Sequence, residues 1–317
     1  MRWLTRIADR THPLALPGAW VVLSLCHFAL VYRLHGGNSC CWANPAQLWG
    51  SILNYVLITG YLLAAVVYLH RGHREVVRQV APLVTDPARV NEALADPASR
   101  TLWLALLAGG LFGLSQYSGL LLSSLGRVNP WLDLSVFAAN EISWLTVAFT
   151  AVCRVTDALS LRRLGRHVSV DLYDLSRLKP FGSAAIRDVL VIMGALALMP
   201  LQALDAEFRL VNYQDGLLVG LTLAGCLFLI SQSGVRAAIR DSRASRLRTL
   251  QAAVDAADRD DVATLEALVA HRDRVRHTST WPMDLSLVGR VAFYLVIPPL
   301  AWVGAALVEM TVEGFLR

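Results

Sequence analysis

Asn140, Ser143, Val147, Thr150, Arg154 and Asp157 follow one another at intervals of three or four along an apolar stretch. In a helix that spacing places them on one face. Glu141 lies beside the face. If the helix starts near residue 135, Glu141 sits roughly 9 Å inside the nearer membrane boundary, at about 1.5 Å per residue. A charge at mid-membrane costs at least ~2.5–3.5 kcal/mol on insertion scales, so such side chains turn toward protein or water. The chemistry open to this stripe is proton or ion handling, with Glu141 as titrating group and Asn140 beside it. A second reading makes the same residues helix–helix glue. Glu141 then stays near the headgroups and Arg154 reaches the inner surface, paired with Asp157.

Other residues bear on the same question. Gly109 and Gly113 have the G-x-x-x-G spacing, followed by Ser115, Gln116 and Ser118; Gly216 and Gly220 repeat the spacing. Small residues let helix backbones approach closely, so these glycines read as packing positions, with Gln116 a candidate for the lining of a pathway. Pro298-Pro299 removes two backbone donors and leaves carbonyls near Tyr294 and Leu295 without partners, which kinks or breaks a helix. His70 and His73 stand three apart beside Glu75, but no third ligand has a convincing spacing, so a metal is not expected. Cys40 and Cys41 are adjacent and pair poorly with each other. Phosphate-binding loops, zinc-protease, hydrolase, dinucleotide, EF-hand and haem-attachment motifs are all missing from the sequence, so neither catalysis nor a cofactor is expected.

The elements that carry these residues follow from composition. Of 317 residues, 55% are hydrophobic and only 17% charged, against about 25% charge in soluble domains. Charge is absent from some stretches and dense in others, as in a polytopic membrane protein. The net charge of +5 follows that alternation; without a basic patch interleaved with aromatics it does not point to nucleic acid. A hydrocarbon core of ~30 Å needs about 20 apolar residues. Segments 14–34, 46–70, 101–123, 135–158, 187–205, 216–234 and 286–310 meet that test, and in lipid they must be helical.

All but four of the 29 basic residues (Arg33, Arg127, Arg209 and Arg317) fall in the amino-terminal tail or the loops after the second, fourth and sixth segments. Basic residues stay on the cytoplasmic side, so the amino terminus is expected there, in a bacterial-type inner membrane. Asp86-Pro87 and Asp96-Pro97 each place a cap before a proline, and several tryptophans fall near segment ends. The stretch Leu172, Leu175, Leu178 reads as an interfacial segment on the inner leaflet. Residues 235–284 read as an αα-hairpin continuous with the sixth segment, its second helix capped by Asp261. At about 50 residues it is too small to bury a core alone, so it packs on the membrane helices, a second copy or a partner.

The expected architecture is therefore all-α: a polytopic α-helical membrane protein of about seven transmembrane helices plus a cytoplasmic helical hairpin. Residues 1–234 form the transmembrane part with cytoplasmic loops 71–100 and 159–186. Residues 235–284 form the hairpin, and 285–317 the last segment and tail. The functional expectation is a homo-oligomeric channel or transporter-like protein, with Glu141, Asn140, Gln116, Arg154 and Asp157 along its pathway. The alternative is an anchor or regulatory scaffold that transports nothing and recruits a cytoplasmic protein partner through the hairpin. The topology has a direct test. A membrane-impermeant maleimide added to intact cells should modify Cys40 or Cys41; modification only after the cytosolic face is opened would invert the orientation.

Overall fold

Long apolar runs with no alternative partner for their backbone groups fold as helices, and the computed structural model is built of them. It describes residues 12, 14–35, 45–95, 97–125, 131–203, 214–258, 261–279, 281, 289 and 293, with the side chains of 45–47, 117–125, 202–203 and 214–215 excepted. The helices are α1 (Ala15–His35), α2 (Pro45–Val80), α3 (Pro87–Ala93), α4 (Ser99–Leu125), α5 (Trp131–Gly165), α6 (Lys179–Leu196), α7 (Gln214–Ala256) and α8 (Val262–Arg276). Three short 3-10 turns join them, and the one extended pairing among the described residues is a bridge between Val84 and Val168.

Five of the described helices are long and apolar enough to cross a membrane: α1, α2, α5, α6 with its following turn, and α7. Helix α4 is 27 residues long and exposes Trp103, Leu104, Leu107 and Leu111. Asp96, the pair Cys40-Cys41 and the Pro298-Pro299 break of segment 286–310 lie outside the described residues.

Helix α2 is the centre of the bundle. Two-thirds of its apolar window is buried (67%), against 11% for α1 at the rim. One apolar cluster, including Phe28, Ile52, Tyr55, Leu132 and Val136, joins α1, α2 and α5. A second, of Val189, Met193, Leu196 and Ala224, joins α6 and α7. The largest gathers the other end of the bundle, where Val76, Val77, Leu161, Leu164, Phe181, Val235 and Ile239 meet.

Several expected boundaries move. The second segment does not stop at 70, because α2 runs unbroken through His70, Arg71 and Arg74 to Val80. The fifth segment was expected at 187–205. Its helix spans Lys179–Leu196 and opens with Pro180 in its first turn, where a missing N–H costs nothing. The interfacial reading of Leu172, Leu175 and Leu178 is overturned. Leu172 and Leu178 are buried against Val76 and Val77, and Leu175 packs on the same cluster. The loop is tied down by backbone bonds, Ser169 N–H donating to the Leu83 carbonyl at 2.8 Å and Thr85 N–H to that of His167 at 3.0 Å. A leucine at helical spacing has no means of distinguishing a lipid surface from a protein one.

After α7 the chain turns back, and α8 packs against it. Helix α7 continues for 43 residues without a break, and Asp261 caps α8 by accepting the Thr264 N–H at 3.1 Å and its hydroxyl at 2.6 Å. Those two bonds hold the Asp261 carboxyl below the usual carboxylate range. Leu250 and Val275 join the large cluster, so the hairpin buries its apolar stripe on its own chain. Glu92 fastens α3 in similar fashion, accepting from Arg89 at 2.8 Å and from Arg163 of α5 at 3.3 Å.

A close helix crossing involves glycines that no G-x-x-x-G spacing marks. A Cβ on Gly165 would lie 2.7 Å from the Val235 amide nitrogen, and one on Gly234 would strike the backbone of Arg162. Because both obstacles are main chain, no rotamer change relieves them. Gly234→Val should therefore destabilise the protein by about 1–3 kcal/mol, the range for overpacking. Thermal unfolding in detergent checks this, and an unchanged midpoint would mean that the helices part without cost.

Candidate functional site: a polar cavity ending in a buried charge cluster

The polar residues of the stripe on α5 are buried: Asn140 is 1% exposed, Arg154 4% and Asp157 9%, with Ser143 and Thr150 between them, while Val147 is half-buried. The stripe faces a partly open cavity of about 200 Å³ lined from α2, α4, α5, α6 and α7. Asn140, Ser143, Thr150 and Arg154 of α5 line it, joined by Asn54 of α2, Gln116 of α4 and Asp188 of α6. The rest of the wall is apolar, with Tyr55, Ile58, Trp144, Val191 and Leu196 among it. From Asn140 to Arg154 the helix rises roughly 21 Å, most of a ~30 Å hydrocarbon core.

The polar groups divide into satisfied and unsatisfied ones. Thr150 donates to the Thr146 carbonyl at 2.7 Å, and Asn54 Nδ2 to the Leu198 carbonyl at 2.8 Å. Asn140 Nδ2 reaches the Gly113 carbonyl at 3.5 Å, while its Oδ1 is buried with no partner among the described residues. Arg154 Nε is in the same condition. Both atoms belong to residues that line the cavity, though neither atom is itself exposed to it.

A charge cluster closes one end. Arg154 uses one terminal nitrogen for Asp157, three residues on, and the other for Asp188 Oδ1 at 3.4 Å. Its side chain is 5% exposed, so it does not extend to the surface as the glue reading supposed. Behind it, His73 Nε2 lies 2.9 Å from the Ala93 carbonyl, 3.4 Å from Ser160 Oγ and 3.9 Å from Asp157 Oδ1. His73 thus turns to α5 and α3 rather than to a shared metal, and no group of three metal-capable side chains occurs among the described residues.

The structure separates the expected site residues. Asn140, Gln116 and Arg154 meet at the cavity with Gly216 and Gly220. Asp157 stands behind Arg154. Glu141 is half-buried and turned to the crossing with α4, where a Cβ on Gly113 would lie 2.6 Å from its Oε1. Gly109 sits at that crossing too, 2.9 Å from the Trp144 carbonyl oxygen by the same measure.

Asp188 was the omission. It stands next to Arg187 at the start of the expected fifth segment, in a run from Phe181 to Leu198 that is mostly apolar. That run was the available signal, since a carboxylate inside it needs a cation, and Arg154 is one in search of a partner. Comparison of the chain with protein-family profiles, curated proteins and solved structures finds no match.

Removing one partner from a buried ion cluster strands the others, at about 3–5 kcal/mol, whereas removing all the charge together is close to neutral. Arg154→Gln should therefore destabilise the protein by about that amount, and adding Asp157→Asn and Asp188→Asn should restore most of the loss. Unfolding midpoints of the single and triple variants decide it. A triple variant no more stable than Arg154→Gln would show that charge compensation is not what the cluster does.

Proposed function

We propose that the chain is a channel or transporter-like membrane protein whose pathway is the cavity between α2, α4, α5, α6 and α7, closed at one end by the Arg154 cluster. The observation that carries the reading is the cavity itself. It runs along most of a membrane's thickness, and polar side chains from four helices line it: Asn54, Gln116, Asn140, Ser143, Thr150, Arg154 and Asp188. A bundle that only anchored something would gain by filling that space with side chains, since each buried polar group left unpaired costs about 1–3 kcal/mol.

The membrane arrangement completes the proposal. Seven crossings, with the amino terminus and the α7–α8 hairpin on the cytoplasmic face of an inner membrane, account for the distribution of arginine. On this arrangement Arg154, Asp157, Asp188 and His73 form the inner closure, and Gln116 and Asn140 lie toward the outer side. Assembly of copies around the hairpin belongs to the proposal but is not needed to bury its apolar stripe, which Leu250 and Val275 already place against the chain's own core.

Access from water is the decisive test. In a variant whose native cysteines are replaced by serine or alanine, Ser143→Cys should react with a small membrane-impermeant methanethiosulfonate, and filling the cavity with Val147→Trp should suppress the reaction. An introduced thiol that stays inert in folded protein, yet reacts on unfolding, would mean that no pathway reaches this depth.

A further inference from the structure

Three flat side chains come together where α7 leaves its uncharged stretch. Trp281, which follows α8, stacks on Phe228 of α7, with ring centres 6.4 Å apart and planes 22° from parallel. Arg236 of α7 also lies over the indole, its guanidinium carbon 4.4 Å from the ring centre. Ser279 fixes the turn that carries Trp281: its hydroxyl donates to the Trp281 carbonyl and accepts from the Trp281 N–H, both at 3.2 Å. A guanidinium held on an indole by its flat face keeps the N–H groups of its edge for an anion. Arg236 is exposed, and among the described residues it makes no ion pair with a carboxylate.

More arginine is gathered around that contact. Arg236, Arg240 and Arg243 are spaced by four and three, and so share one face of α7. Arg243 donates to the carbonyl of Arg276 and, at 3.4 Å, to that of Thr278. It thereby pins the end of α8, which carries the exposed Arg274 and Arg276, beside that face. The hairpin is electrically lopsided. Arg236 to Arg248 holds five arginines and one aspartate, whereas Asp255 to Glu266 holds five carboxylates and one arginine. The basic end adjoins the stretch between Asp215 and Arg236, which has no charge and is about as long as a hydrocarbon core is thick. Arg240 and Arg243 lie roughly 6 Å and 10 Å beyond Arg236 along the axis, close enough to feel a charged surface at ordinary salt.

Retention of arginine on the cytoplasmic side accounts for the number of these residues. It does not require that residues 236–243 and 274–276 be gathered, or that a guanidinium be laid on an indole at the edge of the apolar stretch. A soluble acidic partner would arrive from the aqueous side, where the hairpin presents Asp255, Asp258, Asp261 and Glu266. A lipid arrives from the other. Leu218, Gly225 and Leu229 stand on the same side of α7 as Arg236, at intervals of seven and four residues, and are exposed. A Cβ on Gly225 would meet nothing within 4 Å.

We propose that this surface binds the phosphate headgroup of an anionic phospholipid, with Arg236 on Trp281 as its centre. The phosphate accepts from the free edge of the Arg236 guanidinium, the other arginines add attraction, and the acyl chains lie along α7 past Leu229 and Gly225. The inference rests on α7 crossing the membrane and is independent of the pathway.

The test uses full-length protein in an uncharged detergent, with phosphatidylglycerol and phosphatidylcholine of identical chains as probes. Native mass spectrometry gives the apparent dissociation constant of the first lipid bound. Phosphatidylglycerol should bind at least about fivefold more tightly, the contribution of one arginine at a membrane surface, and the preference should shrink as salt is raised. Arg236→Gln should remove about that factor from phosphatidylglycerol and leave phosphatidylcholine unchanged. Arg248→Gln, the same charge change roughly 18 Å further along α7, should have almost no effect. Equal losses from both variants would mean that net charge alone is read and no site exists. Equal binding of the two lipids by the wild-type protein would overturn the proposal whether or not a variant folds. Displacement of phosphatidylglycerol by millimolar inorganic phosphate would assign the site to a free anion instead of a lipid. Binding that depends on Arg236 while the thiol at position 143 stays inert upholds this site and removes the pathway.

Discussion

A guanidinium taken out of water has to be neutralised where it stands, and the bundle is arranged around that requirement at Arg154. Neutralisation within α5 is local, through Asp157 on the next turn. Neutralisation by Asp188 is not, because it obliges α6 to lie against α5 at one depth and in one rotation. Helix α2 is bound into the same arrangement by His73, whose ring reaches both the carbonyl of Ala93 and the hydroxyl of Ser160. Three helices are thereby registered at one level. Apolar packing could not do this alone, since lipid tails are as apolar as leucine and a slipped helix would lose little.

Several other polar contacts between helices share one form, a side-chain donor reaching a backbone carbonyl of a neighbour. Tyr61 donates to the Val191 carbonyl at 2.9 Å, Trp20 to that of Val56 at 3.1 Å and Gln232 to that of Phe181 at 2.7 Å. A helical carbonyl keeps a second lone pair after its own ladder bond is made, so such contacts ask for only one side chain and leave the other helix free to be apolar. They explain how hydrophobic helices with few polar residues can hold definite rotations. At the cavity the polar side chains of α5 face a wall where α7 presents glycine, Gly216 and Gly220.

What could be seen in the sequence was whatever depends on one helix at a time. The stripe on α5 was legible because Asn140, Ser143, Thr150, Arg154 and Asp157 share a period, and the continuity of α7 into the hairpin was legible from Ile239, Leu247, Leu250 and Val254 in the same way. The Asp261 cap is a local bond over three residues. What could not be seen depends on which helix meets which. Asp188 has no meaning until α6 is laid against α5, and Gly165 and Gly234 are isolated glycines until α5 and α7 cross. Leu172 and Leu178 failed for a related reason: apolar periodicity records that a face is dry, without recording what dries it. Boundaries erred for a third reason. An apolar run marks the part of a helix that lipid can cover, but the helix itself passes through charge freely once it leaves lipid or finds a partner, as α2 does at Arg71 and Arg74.

The crossing of α5 and α7 has a mechanical meaning. Gly234 sits about midway along a rod of 43 residues, roughly 64 Å long at 1.5 Å per residue, with some twenty residues on either side. Main chain rests directly on main chain there, without side chains to deform, so the contact works as a bearing. The walls that α7 lends to the cavity lie on one arm, and α8 is carried on the other. A tilt of a few degrees about that bearing would swing both ends by comparable distances in opposite directions, so that whatever narrows or widens the space beside Gly216 and Gly220 is felt at once beneath α8.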